Sequence, residues 1–102
     1  MADDDRDVTF RDNGQDRFEV LVDGVVTGFA AYHFEDGAIA VTHVEVDDEH
    51  EGEGLGSRLV ASMLAQLRER GATVQPYCPF VKAYLRQHPD EQDVVVPGFD
   101  LT

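Results

Sequence analysis

Residues 42–67 read THVEVDDEHEGEGLGSRLVASMLAQL, and the change of period inside this stretch decides the fold. Before the glycines, His43 and Glu45 alternate with Val44 and Val46, the two-residue repeat of a strand. After them Leu55, Leu59, Val60, Met63, Leu64 and Leu67 recur at spacings that trace one face of an α-helix. Between the two periods lies Glu51-Gly52-Glu53-Gly54-Leu55-Gly56-Ser57, a glycine loop joining strand to helix. Gly71 supplies the helix stop, and Arg68 and Arg70 occupy a last turn whose dipole favours cations.

Working outward, the chain from Val8 to Val46 reads as strands divided by turn signals. Asp12-Asn13-Gly14 is a turn, Phe18 to Val22 is β-rich, and Asp23-Gly24 and Asp36-Gly37 are hairpin signals. Val25–Phe34, with Ala30, Tyr32 and Phe34 on one face, and Ala38–Val46 complete an antiparallel meander. Downstream, Thr73–Cys78 reads as a strand parallel to Ala38–Val46 if the helix is the crossover of a βαβ unit. Its Pro76 marks an irregular or edge strand. Pro79 suits the first position of a short helix with Phe80, Val81, Tyr84 and Leu85 on its apolar side, ended by Pro89. Val94–Val96 is read as a last short strand. The fold class is α/β of the α+β type: a mostly antiparallel sheet, one main helix after the glycine loop and a short C-terminal helix. Residues 1–7 are expected to be an acidic disordered tail, and 8–102 a single domain.

Charge bounds the partners. Asp and Glu number 21 against 8 Lys and Arg, a formal net charge of -13. Such a chain is a poor ligand for nucleic acid, whose non-specific binding rests on cations meeting phosphates. Seven of the basic residues are Arg and only Lys82 is lysine, a balance resembling proteins of salt-loving cells. No apolar run approaches the roughly 20 residues of a membrane span, and the acidic N-terminus is no signal peptide. A soluble, cytoplasmic protein with no membrane partner is expected. Cys78 is the one cysteine, so an intramolecular disulfide is impossible and a multi-thiolate metal site is excluded. The four histidines lack metal-binding spacing, and no metal is expected.

Glycines in the loop let backbone N–H groups approach an anion unhindered, and the helix N-terminus adds donors and partial positive charge. A pyrophosphate fits such a loop; a turn that merely caps the helix fits it too. The P-loop is excluded because no lysine follows the glycines, and the dinucleotide fingerprint because Ser57 stands at its last position. Glu49, Glu51 and Glu53 surround the anion site, and Arg58, one turn into the helix, offsets part of their repulsion.

Strand, G-x-G-x-G, helix and strand in this order resemble the acetyl-CoA-binding motif of the GNAT superfamily of N-acetyltransferases. Gly54 and Gly56 match the motif, while Glu51 stands where Arg or Gln is usual. With His43-Val44-Glu45-Val46, Cys78-Pro79-Phe80-Val81 and His88-Pro89, the chain is similar to a subfamily of very short GNAT domains, from about Phe18 to Val96. Val44 replaces a common threonine. The resemblance implies a GNAT-like twisted sheet that splays beside the loop, with acetyl-CoA as cosubstrate. Its pyrophosphate would lie on Glu51, Gly52, Glu53, Gly54, Leu55, Gly56, Ser57 and Arg58. Its pantetheine would pair with the Val44 and Val46 backbone, and its thioester would lie near the end of strand Thr73–Cys78.

The implied function is transfer of an acetyl group to an amine of a protein lysine, a polyamine or another small amine. In the subfamily the cysteine matching Cys78 is the proposed active-site residue. As residues, Cys78 reads three ways: a nucleophile before a helix whose dipole favours thiolate, an acid for the departing CoA thiolate, or a buried structural thiol. His43 and Glu45 share a face and either accept the ammonium proton or are a packed imidazole and a solvated charge. Tyr84 lines the acyl pocket or simply packs, with His88 four residues on along the same side. A chain this short is expected to have a shallow acceptor groove, or one completed by a partner, with a homodimer open. The rival function is a CoA-binding sensor or partner subunit without turnover.

Overall fold

Two Asp-Gly pairs fold the first half of the chain. In the computed structural model, which describes residues 7–48 and 52–102, Asp23 and Gly24 have φ of 53° and 81°, and Asp36 and Gly37 have 54° and 78°. Positive φ at both central residues is the type I′ turn, whose twist matches that of the strands it joins. Strands β1 (Val8–Asp12), β2 (Arg17–Val22), β3 (Val25–Glu35) and β4 (Ala38–Val46) follow as an antiparallel meander. Helix α1 (Leu55–Glu69) then crosses over to β5 (Val74–Pro76), which pairs parallel with β4, so the sheet order is β1-β2-β3-β4-β5. Helix α2 (Pro79–Gln87) and a 3-10 helix (Pro89–Val94) complete the mixed α/β fold. Residues 1–6 of the expected tail lie outside the described residues, while Asp7 exchanges hydrogen bonds with Asp23.

The apolar stripe of α1 settles on one face of the sheet. Leu55, Leu59, Val60, Met63, Leu64 and Leu67 pack on Phe18, Val20, Tyr32, Ile39 and Val41, and Val81, Leu85 and Val94 close the same core. Three readings need correction. β5 is three residues long, not six, because the N–H groups of Tyr77 and Cys78 both turn onto the Val41 carbonyl and the chain leaves the sheet there. The final strand reduces to one bridge, Val74 with Val95, since the 3-10 helix runs through Val94. Phe34 shares the face of Tyr32 as expected, their rings edge-on at 6.0 Å, and is exposed near the end of β3. Phe80 is also exposed and leaves the apolar side of α2 to Val81, Tyr84 and Leu85.

A bulge in β4 sets the phase of the strand beside the glycine loop. Ala31 pairs with His43 but Tyr32 with Val41, leaving Thr42 as the extra residue. Ile39 and Val41 face the helices before it, and Val44 and Val46 after it. His43 and Glu45 therefore face away from α1.

The far end of α1 is tied to β1. Arg70 Nη1 donates to Asp12 Oδ2 at 2.8 Å, and the buried Tyr32 hydroxyl donates to Asp12 Oδ1 at 2.6 Å. Burial pushes Asp12 up, but Tyr32, the Gly14 N–H and Arg70 outweigh it and hold the carboxyl below its ordinary value. Burial, and then the hydrogen bond to Asp12, push Tyr32 up to about 12. The sign of each contribution follows. Asp12 stabilises the fold above its unfolded pKa, and this is lost as pH falls through the depressed folded value. Tyr32 stabilises it fully below its ordinary 10.0, and this is lost as pH climbs towards about 12. Tyr32→Phe is expected to destabilise the protein by about 1–2 kcal/mol in urea titrations at neutral pH. It should also raise the midpoint of acid unfolding and flatten the loss of stability between pH 10 and 12; an unchanged alkaline limb would contradict this assignment.

Candidate functional site

Pairing between β4 and β5 stops early. Val74, Gln75 and Pro76 pair with Ile39, Ala40 and Val41, after which the N–H groups of Tyr77 and Cys78 both donate to the Val41 carbonyl, at 3.0 and 3.1 Å. From Thr42 to Val46 β4 continues alongside β3 alone. The sheet therefore opens a gap between β4 and the start of α2. Ile39 and Val41 direct their main chain towards β5. Past the Thr42 bulge the phase reverses, and Asp47 N–H bonds Thr27 O on β3. By alternation the main-chain groups of Val44 and Val46 face the gap.

At its wide end the gap meets the N-terminus of α1. Gly52 and Gly54 take φ of 84° and 76°, a left-handed conformation that favours glycine. Gly54 is the N-cap, no side chain caps the helix, and its first bond is Arg58 N–H to Gly54 O at 3.1 Å. The first-turn amides thus point into a cleft of about 450 Å³ lined by Val46, Gly52, Gly54, Leu55, Gly56, Ser57 and Phe80. A second hollow borders Val44, Glu45, Val46, Asp47 and Asp48. Of the expected cofactor positions, Val44, Val46, Gly52, Gly54, Leu55, Gly56 and Ser57 line these two cavities, which share Val46. Glu51, like Glu49 and His50, lies outside the described residues. The Glu53 side chain lines neither cavity. The guanidinium of Arg58 lies 5.6 Å over the Phe10 ring, held against β1.

The reaction residues divide between the two sides of the sheet. Cys78 is the N-cap of α2 and only 5% exposed, its thiol within the core shared with Ile39, Val41 and α1. His43 and Glu45 are exposed on the other face, with Nε2 and Oε1 3.1 Å apart and side chains 59% and 62% accessible. The His43 ring is 6.0 Å from that of Phe29, which is itself capped by the Arg17 guanidinium at 3.9 Å. The structure thus joins His43 to Glu45 and does not join either to Cys78. Tyr84 donates its hydroxyl to Glu91 at 2.7 Å, and burial, then this bond, push it up to about 12. His88 stacks on Tyr84 with centroids 4.0 Å apart.

Phe80 is the lining residue that the sequence reading assigned to packing. It borders the loop cleft and a smaller cavity of about 110 Å³ shared with Ser57, Ala83, Tyr84 and Gln87. A signal for it exists in the sequence. Residues 80, 83, 84 and 87 recur at i, i+3, i+4 and i+7, a second stripe of α2 overlapping the core stripe at Tyr84. Among the described residues no helix is long and apolar enough to cross a membrane, and no group of three His, Cys, Asp or Glu side chains is arranged to hold a metal.

Residues 17–94 match the family model described as GCN5-related N-acetyl-transferase. No curated protein matches the chain significantly. Among solved structures, the chain resembles ribosomal-protein-alanine N-acetyltransferase from Brucella melitensis biovar Abortus 2308. The TM-score is 0.54 at 22% identity, over 82% of this chain and 64% of that one. It also resembles ribosomal-protein-S18-alanine N-acetyltransferase from Escherichia coli, with TM-score 0.54 at 19% identity, over 65% of this chain and 43% of that one. At these identities the likeness is one of fold, and the chain spans less than two thirds of either enzyme's length. The match over residues 17–94, on a sheet that parts beside a glycine-rich helix start, places this chain in the GCN5-related N-acetyl-transferase family.

Proposed function

We propose that this chain is an acetyl-CoA-dependent N-acetyltransferase of the short, single-domain GNAT type, acting on an amine of a protein or small molecule. The observation that carries the reading is the gap between β4 and β5, which leads from Cys78 to uncapped amides at the start of α1. On this reading the N–H groups of Gly52–Ser57 hold the pyrophosphate, and Val44 and Val46 pair with the pantetheine amides. The thioester then lies between the Cys78 side of the sheet and the His43–Glu45 side. An amine arriving from the open face attacks the carbonyl carbon and gives its proton to the His43–Glu45 pair. The C–S bond breaks and the CoA thiolate takes a proton, with Cys78 as its donor. A nucleophilic Cys78 is less well served, since no base among the described residues is placed with it. That same burial favours the second reading, a CoA-binding subunit without turnover.

The net charge of -13 opposes an anionic ligand, and salt screens that repulsion. If the acidity is that of a high-salt protein, fold and affinity both strengthen with KCl. Calorimetric titration with acetyl-CoA at low and high KCl is expected to give saturable binding, stronger in KCl. Gly54→Glu should abolish it, because a side chain there is strained at φ 76° and puts a carboxylate at the phosphate site. A folded wild-type protein that binds no acetyl-CoA in either salt would sink the proposal.

Turnover, read as CoA thiol release with a polyamine or a lysine-rich peptide, separates the two readings. Cys78→Ala is expected to lose turnover while keeping acetyl-CoA affinity. The double variant His43→Gln, Glu45→Gln should lose about 100-fold in rate, the lower range of a general base, with affinity again unchanged. Wild-type binding without turnover on any amine would support the CoA-binding subunit instead.

A further inference from the structure

Phe80 is an apolar ring that the core does not use. It is 42% exposed, while its neighbour Val81 is fully buried. Its ring lies against Gly56 in the first turn of α1, so closely that a Cβ at Gly56 would stand 3.0 Å from Phe80 Cζ. It is also a wall of two cavities, the cleft at the glycine loop and the smaller one between α1 and α2. Across the loop cleft the other apolar side chains are Val46 from β4 and Leu55 from α1. What sets Phe80 apart from the other exposed apolar side chains is that it lines the loop cleft beside Val46 and Leu55.

We infer that Phe80 is a positioning residue for the pantoyl segment of the coenzyme, gripping it between its ring and Val46. This rests on the acetyl-CoA reading above and adds a contact that the glycine loop does not provide. The chemistry of the ligand supplies the match. In coenzyme A the diphosphate is followed, after a single methylene, by a carbon bearing two methyl groups, and only then by the amides that pair with a strand. A diphosphate on the first-turn amides of α1 brings those methyls beside Gly56, where the wall of the cleft is apolar: Val46, Leu55 and Phe80. Glycine at 56 suits this arrangement, because an added Cβ there would press on the ring at 3.0 Å from Cζ. The contact is also selective. It recognises the pantetheine arm and is indifferent to the nucleotide half of the molecule.

The test compares two ligands on the full chain by calorimetry, with displacement titration for the weaker one: acetyl-CoA, and adenosine 3′,5′-bisphosphate, which has no pantetheine arm. Phe80→Ala is expected to weaken acetyl-CoA about tenfold or more, as loss of an apolar wall does, and to leave the bisphosphate within twofold. Phe80→Leu, which keeps an apolar wall, should recover most of the acetyl-CoA affinity. Thermal midpoints of both variants should stay near wild type, since the ring is outside the core. Equal weakening for both ligands, or unimpaired acetyl-CoA binding in Phe80→Ala, would overturn the inference while leaving the acetyl-CoA reading intact. Wild-type protein that binds neither ligand would overturn both.

Discussion

Parallel pairing between β4 and β5 lasts for three residues and then stops at Val41 and Pro76, and the arrangement of the rest of the molecule depends on that stop. Two local features produce it. The ladder ends where two successive N–H groups, those of Tyr77 and Cys78, converge on one carbonyl, that of Val41. One residue further along β4, the Thr42 bulge shifts the strand's phase. The chain after β5 is thereby turned out of the sheet and into α2, with Pro79 in its first turn. Continuous pairing would have filled the space with main-chain hydrogen bonds and left no cleft at the glycine loop.

Helix α1 must present its first turn at that cleft, and its position is held from the opposite end. Arg70 reaches Asp12 on β1, and Arg68 makes a two-pronged contact with Asp93 at 2.9 and 2.7 Å. Between these anchors and the N-cap, six apolar residues fix the rotation of the helix on the sheet. Among the described residues no side chain caps the start of the helix, which is entered through left-handed glycines. The ion pairs of the helix thus lie at the end away from the cleft.

The gap also separates two environments. On the helix side are the buried thiol of Cys78, the ring of Phe80 and Tyr84 tied to Glu91. On the open side are His43 and Glu45 beside Phe29, in contact with solvent. In the transfer proposed above, this division would let each reactant be approached from its own face. The acidity of the chain works against an anionic donor and favours a cationic acceptor, so ionic strength acts on the two in opposite senses.

Much of the fold was legible in the sequence. The two Asp-Gly pairs dictated the meander through the positive φ that a type I′ turn requires, and the shift from a period of two to one near four located α1. The glycine loop, and the family it belongs to, were visible for the same reason: local conformation there is decided by the residues themselves. What depended on contacts between distant segments was not visible. The length of β5 was set by how many donors Val41 could receive, and the last strand by competition with a 3-10 helix. Thr42-His43, two polar residues in succession, was the only trace of the bulge that turns His43 and Glu45 away from Cys78. Phe80 shows the same limit, since periodicity marks a residue as apolar but not which of two adjacent stripes the core will take. The sequence by itself determined the local conformations and the chemistry available. Only the tertiary structure decided which of those groups meet, because side-chain neighbours are fixed by packing between segments that no local pattern records.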